Sequence, residues 1–493
     1  MGHRTFYRLY GLHYFTKKDD LRTSGIQQAI NEAHSRVFVK DGNYSISAGI
    51  IMQKTGLILE GETLLAQIVA ASSFTGNMLT VQPATQTGLP TRPGPDASIQ
   101  GEVSGVENLT VNGQNNSVTG LLLLPGGSAW TQWLRNVYVY RCGDGADVTG
   151  SVQGTGIQVG KNGSFKGWVV RLINVNALRN YNNVILQNLY DHYIDHLYTT
   201  IHNPSGVGLG IYNCNFGYYN NLRIVGETDT NGPGDCVYIE NSKTLWFEGA
   251  EIADTGKNLV HVYSAAGETS AGLYFRDLSL AQPSSGSAGT YDLIRLELAG
   301  ATGNPASIGE MVFDNVSFDG GAQGNGEANY AINLLIDSTP VGGLPSLVIR
   351  GGDYTPGKTG FGGNLSGNVN NNSFIRGVLG LNPLGSLGAP ANPLVSGTVY
   401  GNSVHQLSAG NQVPPVDADV YVPVSFGSGG SCVVAIGPDS GSMFNLPTIS
   451  EPATSIASIV KMIYFVVPSG WVYSVTVSGT GTAIQSGAIV VGH

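Results

Sequence analysis

The chain has 493 residues, of which 41% are apolar and only 12% charged, with 70 glycines and a formal net charge of −10. It is too apolar for a disordered chain and too acidic, with no basic run, for a nucleic-acid groove built on clustered Lys and Arg. The length allows two or three domains with sizeable cores, and much Gly with few charges suits short strands joined by tight turns. Cys142, Cys214, Cys236 and Cys432 are scattered, without a CxxC pair or a His at zinc-ligand spacing. Reduced structural thiols are therefore expected, with no metal and no other cofactor, and a disulfide stays open. No apolar run reaches the ~18 residues of a membrane span, so no membrane insertion is expected. The start, Met1-Gly2-His3-Arg4-Thr5-Phe6, lacks the apolar core and cleavage site of a secretory signal. Either a leader has been removed or the protein leaves its cell by another route, such as lysis.

Residues 1–20 are aromatic and basic without a period, which fits a lead-in strand or the stub of an attachment segment. Residues 24–33 form the one convincing helix, because Ile26, Ala29, Ile30 and Ala33 make a single apolar stripe. Ser24 followed by Gln27 has the spacing of a capping box. Short strands follow at 37–39, 44–47 and 57–59. A helix in this place covers the open end of a solenoid, which would otherwise be a wet core and a free template for strand addition.

From about 50 to 375 one phrase recurs: Val106-Glu107-Asn108-Leu109-Thr110-Val111, Leu134-Arg135-Asn136-Val137-Tyr138-Val139 and Ile173-Asn174-Val175-Asn176-Ala177. It returns at 219–224, 275–280 and 313–318, more loosely at 195–199 and 248–252, so successive copies lie 22 to 38 residues apart. Each copy is followed by a second strand, such as Gly156-Ile157-Gln158-Val159, Cys236-Val237-Tyr238-Ile239, Leu259-Val260-His261-Val262 or Leu293-Ile294-Arg295-Leu296. Fixed strands with insertions gathered on one flank describe a parallel β-helix. A propeller blade needs four antiparallel strands per repeat, and the fixed Leu and Asn pattern of a leucine-rich repeat is absent. Residues 376–395, with Pro383, Pro390 and Pro393, read as a linker. Residues 396–493 carry alternating strands at 420–422, 432–436, 462–467 and 471–477, which suggests a small β-sandwich.

Asp19-Asp20, then Gly25-Ile26-Gln27-Gln28-Ala29-Ile30 and Val37-Phe38-Val39-Lys40-Asp41-Gly42-Asn43-Tyr44-Ser45-Ile46, resemble the N-terminal module of pectate-lyase-superfamily β-helices, a module common in bacteriophage tailspikes. The repeats are similar to that family's coils, and residues 382–493 to a β-sandwich often found behind them. Two positions depart from the pattern: Lys40-Asp41-Gly42 stands for the usual Pro-x-Gly, and Leu21 for the usual Thr. The resemblance implies an all-β chain: a right-handed parallel β-helix over 21–375 with its N-terminal helical cap, then the C-terminal sandwich, which would bind carbohydrate or lock a trimer. It also implies a homotrimeric virion protein, attached to phage tail or baseplate proteins, that binds and often depolymerises a bacterial surface polysaccharide. The alternatives are a non-catalytic receptor-binding or structural fibre of the same fold, and an extracellular polysaccharide lyase or hydrolase of a cellular organism.

Within the repeat, Asn108, Asn136, Asn174, Asn221 and Asn315, with His196 and Asp277 in the same slot, are expected to form a hydrogen-bonded ladder at a turn. Of the Asn-x-Ser/Thr matches, those at Asn108 and Asn315 fall in this ladder and are read as accidental. Two positions after each slot lies an outward column, Thr110, Tyr138, Asn176, Tyr198, Arg223, Glu251, Ser279 and Ser317. Tyr138, Tyr198, Arg223 and Glu251, together with Asp235, are the candidate substrate-binding residues. Flat rings suit pyranose faces and polar groups suit hydroxyls, although the same chemistry also suits a contact between sister chains. Glycoside hydrolysis needs two carboxylates, and Glu227 with Asp254 or Asp229 is the favoured pair, because 227 and 254 follow successive strands at nearly one offset. Asp144 with Asp147, and Asp191 with Asp195 around His192, are further possibilities. β-Elimination is the less favoured chemistry, with Arg223 or Lys257 as the cation.

Overall fold

The computed structural model describes residues 12–15, 23–82 without 55, 104–125, 132–143, 152–161, 167–226 without 204, 234–283, 288–321, 327–337 and 342–378 without 366, 367, 371, 372 and 377. Beyond these it describes 403–405, 418–438, 442–450, 459–468, 471–484 and 488–492. The lead-in (beyond the strand Leu12–Phe15) and the linker lie almost wholly outside the described residues. The chain divides into two units, 1–343 with 355–360, and 344–354 with 361–493.

The first unit is the parallel β-helix expected from the repeat, and its strands form three faces rather than two. The recurring phrase is itself two strands bent at its Asn. In Gln132–Cys142, residues 132–135 pair in parallel with 104–107 and 170–173, and after Asn136 residues 137–140 pair with 109–112 and 175–178. Later coils make the bend a break, as in Asn215–Asn220 followed by Arg223–Gly226. Face I is the set of strands before the corner and face II the set after it. Face III contains the second strands, running in parallel register through Val118–Leu123, Thr155–Gly160, Asn182–Gln187, Leu209–Tyr212, Val237–Glu240, Val260–Ala265, Ile294–Ala299 and Tyr330–Ile336.

The corner residues explain why the bend falls at Asn. Asn108, Asn136, Asn174, His196, Asn221, Asp277 and Asn315 all have φ between 51° and 56°, the left-handed region that Asn and Asp tolerate best. Gly249 takes the same slot at φ 64°. Nδ2 of Asn136 donates to Oδ1 of Asn108 (3.1 Å), Asn174 to Asn136 (2.7 Å) and Asn315 to Asp277 (2.7 Å). Each side chain therefore satisfies its neighbour one coil away. Where His196 interrupts the row, Asn221 donates to Asp195 instead (3.0 Å).

Alternation fills the interior. Residues two before the corner build a buried stack, with Tyr219, Phe247, Phe275 and Phe313 spaced 4.4, 5.0 and 5.0 Å apart and within 12° of parallel. The strand spacing of about 4.8 Å imposes that distance, and each such pair contributes about 0.5–1.5 kcal/mol beyond its burial. The N-terminal helix Thr23–Glu32 buries Ile26, Ala29 and Ile30 and lies against Arg36–Val39 and Ile50–Met52. The Gln27 amide donates to the Ile51 carbonyl (2.9 Å) and accepts from the Ile51 N–H (2.7 Å), tying helix to strand. All four cysteines are buried and free.

In the second unit, Ala418–Phe426 pairs antiparallel with Ile459–Val467 and Ala488–Gly492, and Ser431–Gly437 pairs antiparallel with Val472–Ser478. Val420, Val422, Val424, Val434, Phe465 and Tyr473 are buried together between them, which is the predicted β-sandwich.

Candidate functional site

The outward column read from the sequence is one ladder of face II. Parallel register aligns Thr110 with Tyr138, then Asn176, Tyr198, Arg223, Glu251, Ser279 and Ser317. Its centre is a connected group. The Arg223 guanidinium sits 5.6 Å from the Tyr198 ring centre and its Nε lies 3.1 Å from Oε2 of Glu251. Asp254 follows in the turn at φ 57°, its carboxyl raised by partial burial and by the Glu251 charge, with Arg223 opposing. Tyr138 packs on Tyr140 at 5.1 Å, one end of the same column. Glu227, Asp229, Asp144 and Asp147 lie outside the described residues. The register ends with Val225 opposite Ala253, the residue before Asp254.

The Asp191, His192 and Asp195 group does not assemble. Left-handed Asp191 (φ 53°) shifts the alternation, so that its side chain is exposed while His192 turns into the core. There burial drives the imidazole down to about 3, and its Nε2 lies 2.5 Å from the Tyr219 hydroxyl. Asp195 is engaged by Asn221 and His196 at the corner.

A denser constellation lies on face III, where alternation calls for solvated residues. Register places Tyr238, His261, Arg295 and Asn333 in one outward column, and Tyr212, Glu240, Tyr263 and Glu297 in the next. His261 is held between two carboxylates. Its Nδ1 lies 3.3 Å from Oδ2 of Asp235 and its Nε2 3.1 Å from Oε2 of Glu297, and all three side chains are at most 15% exposed. Arg295 donates through Nε to the same Glu297 oxygen at 3.1 Å. Asp235 also accepts the backbone N–H and Nδ2 of Asn258, both at 3.0 Å, which fixes it at the mouth of the turn before the strand.

Charge explains the protonation of this group. Burial alone would depress His261, but the hydrogen bonds and charges of Asp235 and Glu297 outweigh it and raise the imidazole above its ordinary 6.5. The hydrogen bond from His261 holds the Glu297 carboxyl down at about 2 against its burial. Asp337 moves the other way, raised by burial and then by the charge and hydrogen bond of Glu297. Burial pushes Tyr212 up to about 12 and Tyr238 higher still, with Glu240 reinforcing both. Among the described residues no group of three His, Cys, Asp or Glu side chains is placed to hold a metal ion.

Of the sequence-derived residues, the structure thus groups Tyr198, Arg223, Glu251 and Asp254 on face II and puts Asp235 with His261 on face III. The sequence reading treated His261 and Arg295 only as strand residues and did not single out Glu297. Their signal was present: in Leu259-Val260-His261-Val262 and Leu293-Ile294-Arg295-Leu296 the charged residue takes the same outward slot between apolar neighbours.

No protein-family model matches the sequence, and no curated protein matches it either. Among solved structures the chain is similar to the enzymatically active domain of tailspike protein 2 of bacteriophage CBA120, at 13% identity and a TM-score of 0.46, covering 95% of this chain and 73% of that one. It spans 65% of the full-length tailspike protein 2. It is also similar to the tailspike protein gp49 of Pseudomonas phage LKA1, at 12% identity and a TM-score of 0.41, covering 91% of this chain and 92% of that one. A third similar structure is the A-module of the Azotobacter vinelandii mannuronan C-5 epimerase AlgE4, at 14% identity and a TM-score of 0.38, covering 69% of this chain and 94% of that one.

Proposed function

We propose that the chain binds a bacterial surface polysaccharide and hydrolyses its glycosidic bonds at the Asp235–His261–Glu297 array on face III. The observation that carries this reading is the array itself: two carboxylates held apart by one imidazole on an outward sheet face (3.3 and 3.1 Å to the two ring nitrogens). In this reading His261 and Arg295 are positioning residues. Asp235, which bonds no other carboxyl among the described residues, activates water, while in the Glu297–Asp337 pair the raised Asp337 carries the proton that goes to the leaving oxygen. A full imidazole between them exceeds the ~5–5.5 Å of a retaining pair and suits the ~6.5–9.5 Å of an inverting one. The raised tyrosines favour this over β-elimination, because a phenol pushed far above neutrality is a poor base. The residues Tyr198, Arg223, Glu251 and Asp254 supply binding on face II. Glu227 and Asp229, the carboxylates favoured from the sequence, stand eight and six positions before Asp235 in the chain and lie outside the described residues.

The experiment is to incubate the protein with host capsule or lipopolysaccharide and follow the first product by NMR. A new reducing end with inverted anomeric configuration is expected. Retained configuration would refute the assigned pair, unsaturated uronate would make the protein a lyase, and binding without product would make it a receptor-binding fibre.

A further inference from the structure

Face I carries an aromatic system that neither the corner ladder nor the acid–base array uses. Three positions before each corner the register aligns Arg171, Tyr193, Tyr218, Trp246 and Tyr274 on the outside of the sheet. Tyr218 stacks on Trp246 at 4.5 Å and 8°, and Trp246 on Tyr274 at 5.6 Å and 10°. The stack stops at Tyr218. Tyr193, in the next coil, is drawn aside to accept a hydrogen bond from Nδ2 of Asn220 (3.1 Å). A groove of about 470 Å³ opens there, lined by Arg171, Asp191, His192, Tyr193, Tyr218 and the backbone around Val169, a size within the ~300–1,000 Å³ of small-molecule sites. Beside it a second stack, Trp168 on Tyr190 at 5.1 Å and 18°, stands outward.

Two features mark the groove as built for a ligand. The left-handed slot at its rim, shared by Val169, Asp191, Phe216 and Thr244 at φ 51°, 53°, 56° and 59°, belongs to the coil and runs on beyond the groove. Arg171 and Asp191 are exposed and make no ion pair or hydrogen bond among the described residues. Beneath them His192 is 1% exposed, and its Nδ1 has no hydrogen-bond partner among the described residues. Gly217 is required opposite it, since a Cβ there would collide with the imidazole.

We propose that this groove is a second, non-catalytic glycan site, which seats one pyranose against the free face of Tyr218 with Arg171 and Asp191 on its hydroxyls. One ring face of Tyr218 is covered by Trp246, and the residue is still 46% exposed. An aromatic face beside an unpaired cation and an unpaired carboxylate matches a sugar, which has an apolar ring face and donor–acceptor hydroxyls, better than an apolar peptide or a lipid. The inference shares the glycan of the preceding reading but none of its chemistry.

The test titrates the full chain with methyl glycosides of neutral, N-acetylated and uronic pyranoses, read by saturation-transfer NMR and by tryptophan emission from Trp168 and Trp246. Saturable binding is expected in the parent and in Glu297→Gln, weakened at least tenfold in Tyr218→Ala and in Arg171→Ala, and retained in Tyr218→Phe. Binding unchanged in Tyr218→Ala, or no binding by any glycoside of the panel, would overturn the proposal. A change in molar mass of Tyr218→Ala by light scattering would make the face a contact between copies and overturn it equally. Failure of Glu297→Gln to cleave polysaccharide bears only on face III, so the two readings fall separately.

Discussion

His261 shows how far one residue's surroundings set its chemistry. A histidine with its ordinary value near 6.5 is mostly neutral at physiological pH, and the sequence around 261 offers no partner within its own strand. Asp235 and Glu297 are 26 and 36 residues away and arrive only through the coil register. The pH dependence follows with opposite signs for the two partners. His261 is raised above 6.5, so its stabilisation is whole below about 6.5 and is lost as pH rises through the raised value. Glu297 falls from 4.5 to about 2, so its contribution is whole above about 4.5 and is lost as pH falls towards 2. The array thus stabilises most between about pH 4.5 and 6.5, and melting temperature should decline on the alkaline side. Thermal scans of His261→Gln should show a shallower alkaline decline than the parent. An identical slope would mean that His261 does not carry the charge assigned to it.

At the scale of the element, the Asn corner is the device on which the fold turns. The sequence made the ladder legible because Asn, Asp and Gly are the residues that tolerate left-handed backbone, and they recur in one slot. It also made the column two positions later legible, since alternation restarts at each corner. The corner's consequence was less visible. A single left-handed residue divides the phrase into two strands on two faces, and the positions before the corner, Tyr218, Trp246 and Tyr274, look like ordinary strand aromatics until register aligns them. Glu227 and Asp229 were read from a loop, where no periodicity links spacing to distance. Asn136 tests the ladder. Alanine there adds about 1–2 kcal/mol of left-handed strain to the loss of two ladder bonds worth about 0.5–1.5 kcal/mol each, roughly 2–5 kcal/mol in total. Glycine keeps the backbone free, so Asn136→Gly should cost only about half as much in urea unfolding. Equal losses would show that strain plays no part.

At the scale of the molecule, the three faces of the first unit present long ladders whose outward residues are chosen separately from the core. Outward chemistry can therefore vary on faces I, II and III independently, while the stacked interior remains fixed. The second unit carries a different surface: Val460, Met462, Tyr464 and Val466 alternate outward along one strand at 47–62% exposure. An exposed apolar stripe of this kind is typical of a contact with another chain, and it would serve the homotrimer that the family resemblance implies. Light scattering should give three times the chain mass, and paired Val460→Asp and Met462→Asp substitutions should reduce it to that of a monomer. A monomeric parent would refute the trimer without touching the carboxylate array. The most direct measurement for the array is reducing-end release from host polysaccharide by the parent, Asp235→Asn, Glu297→Gln and Asp254→Asn. Removing an acid or base costs about 10²–10⁴-fold in rate. That loss is expected for Asp235→Asn and Glu297→Gln, with a far smaller one for Asp254→Asn. Full activity in Asp235→Asn and Glu297→Gln, with loss in Asp254→Asn, would move the chemistry to face II and contradict the account.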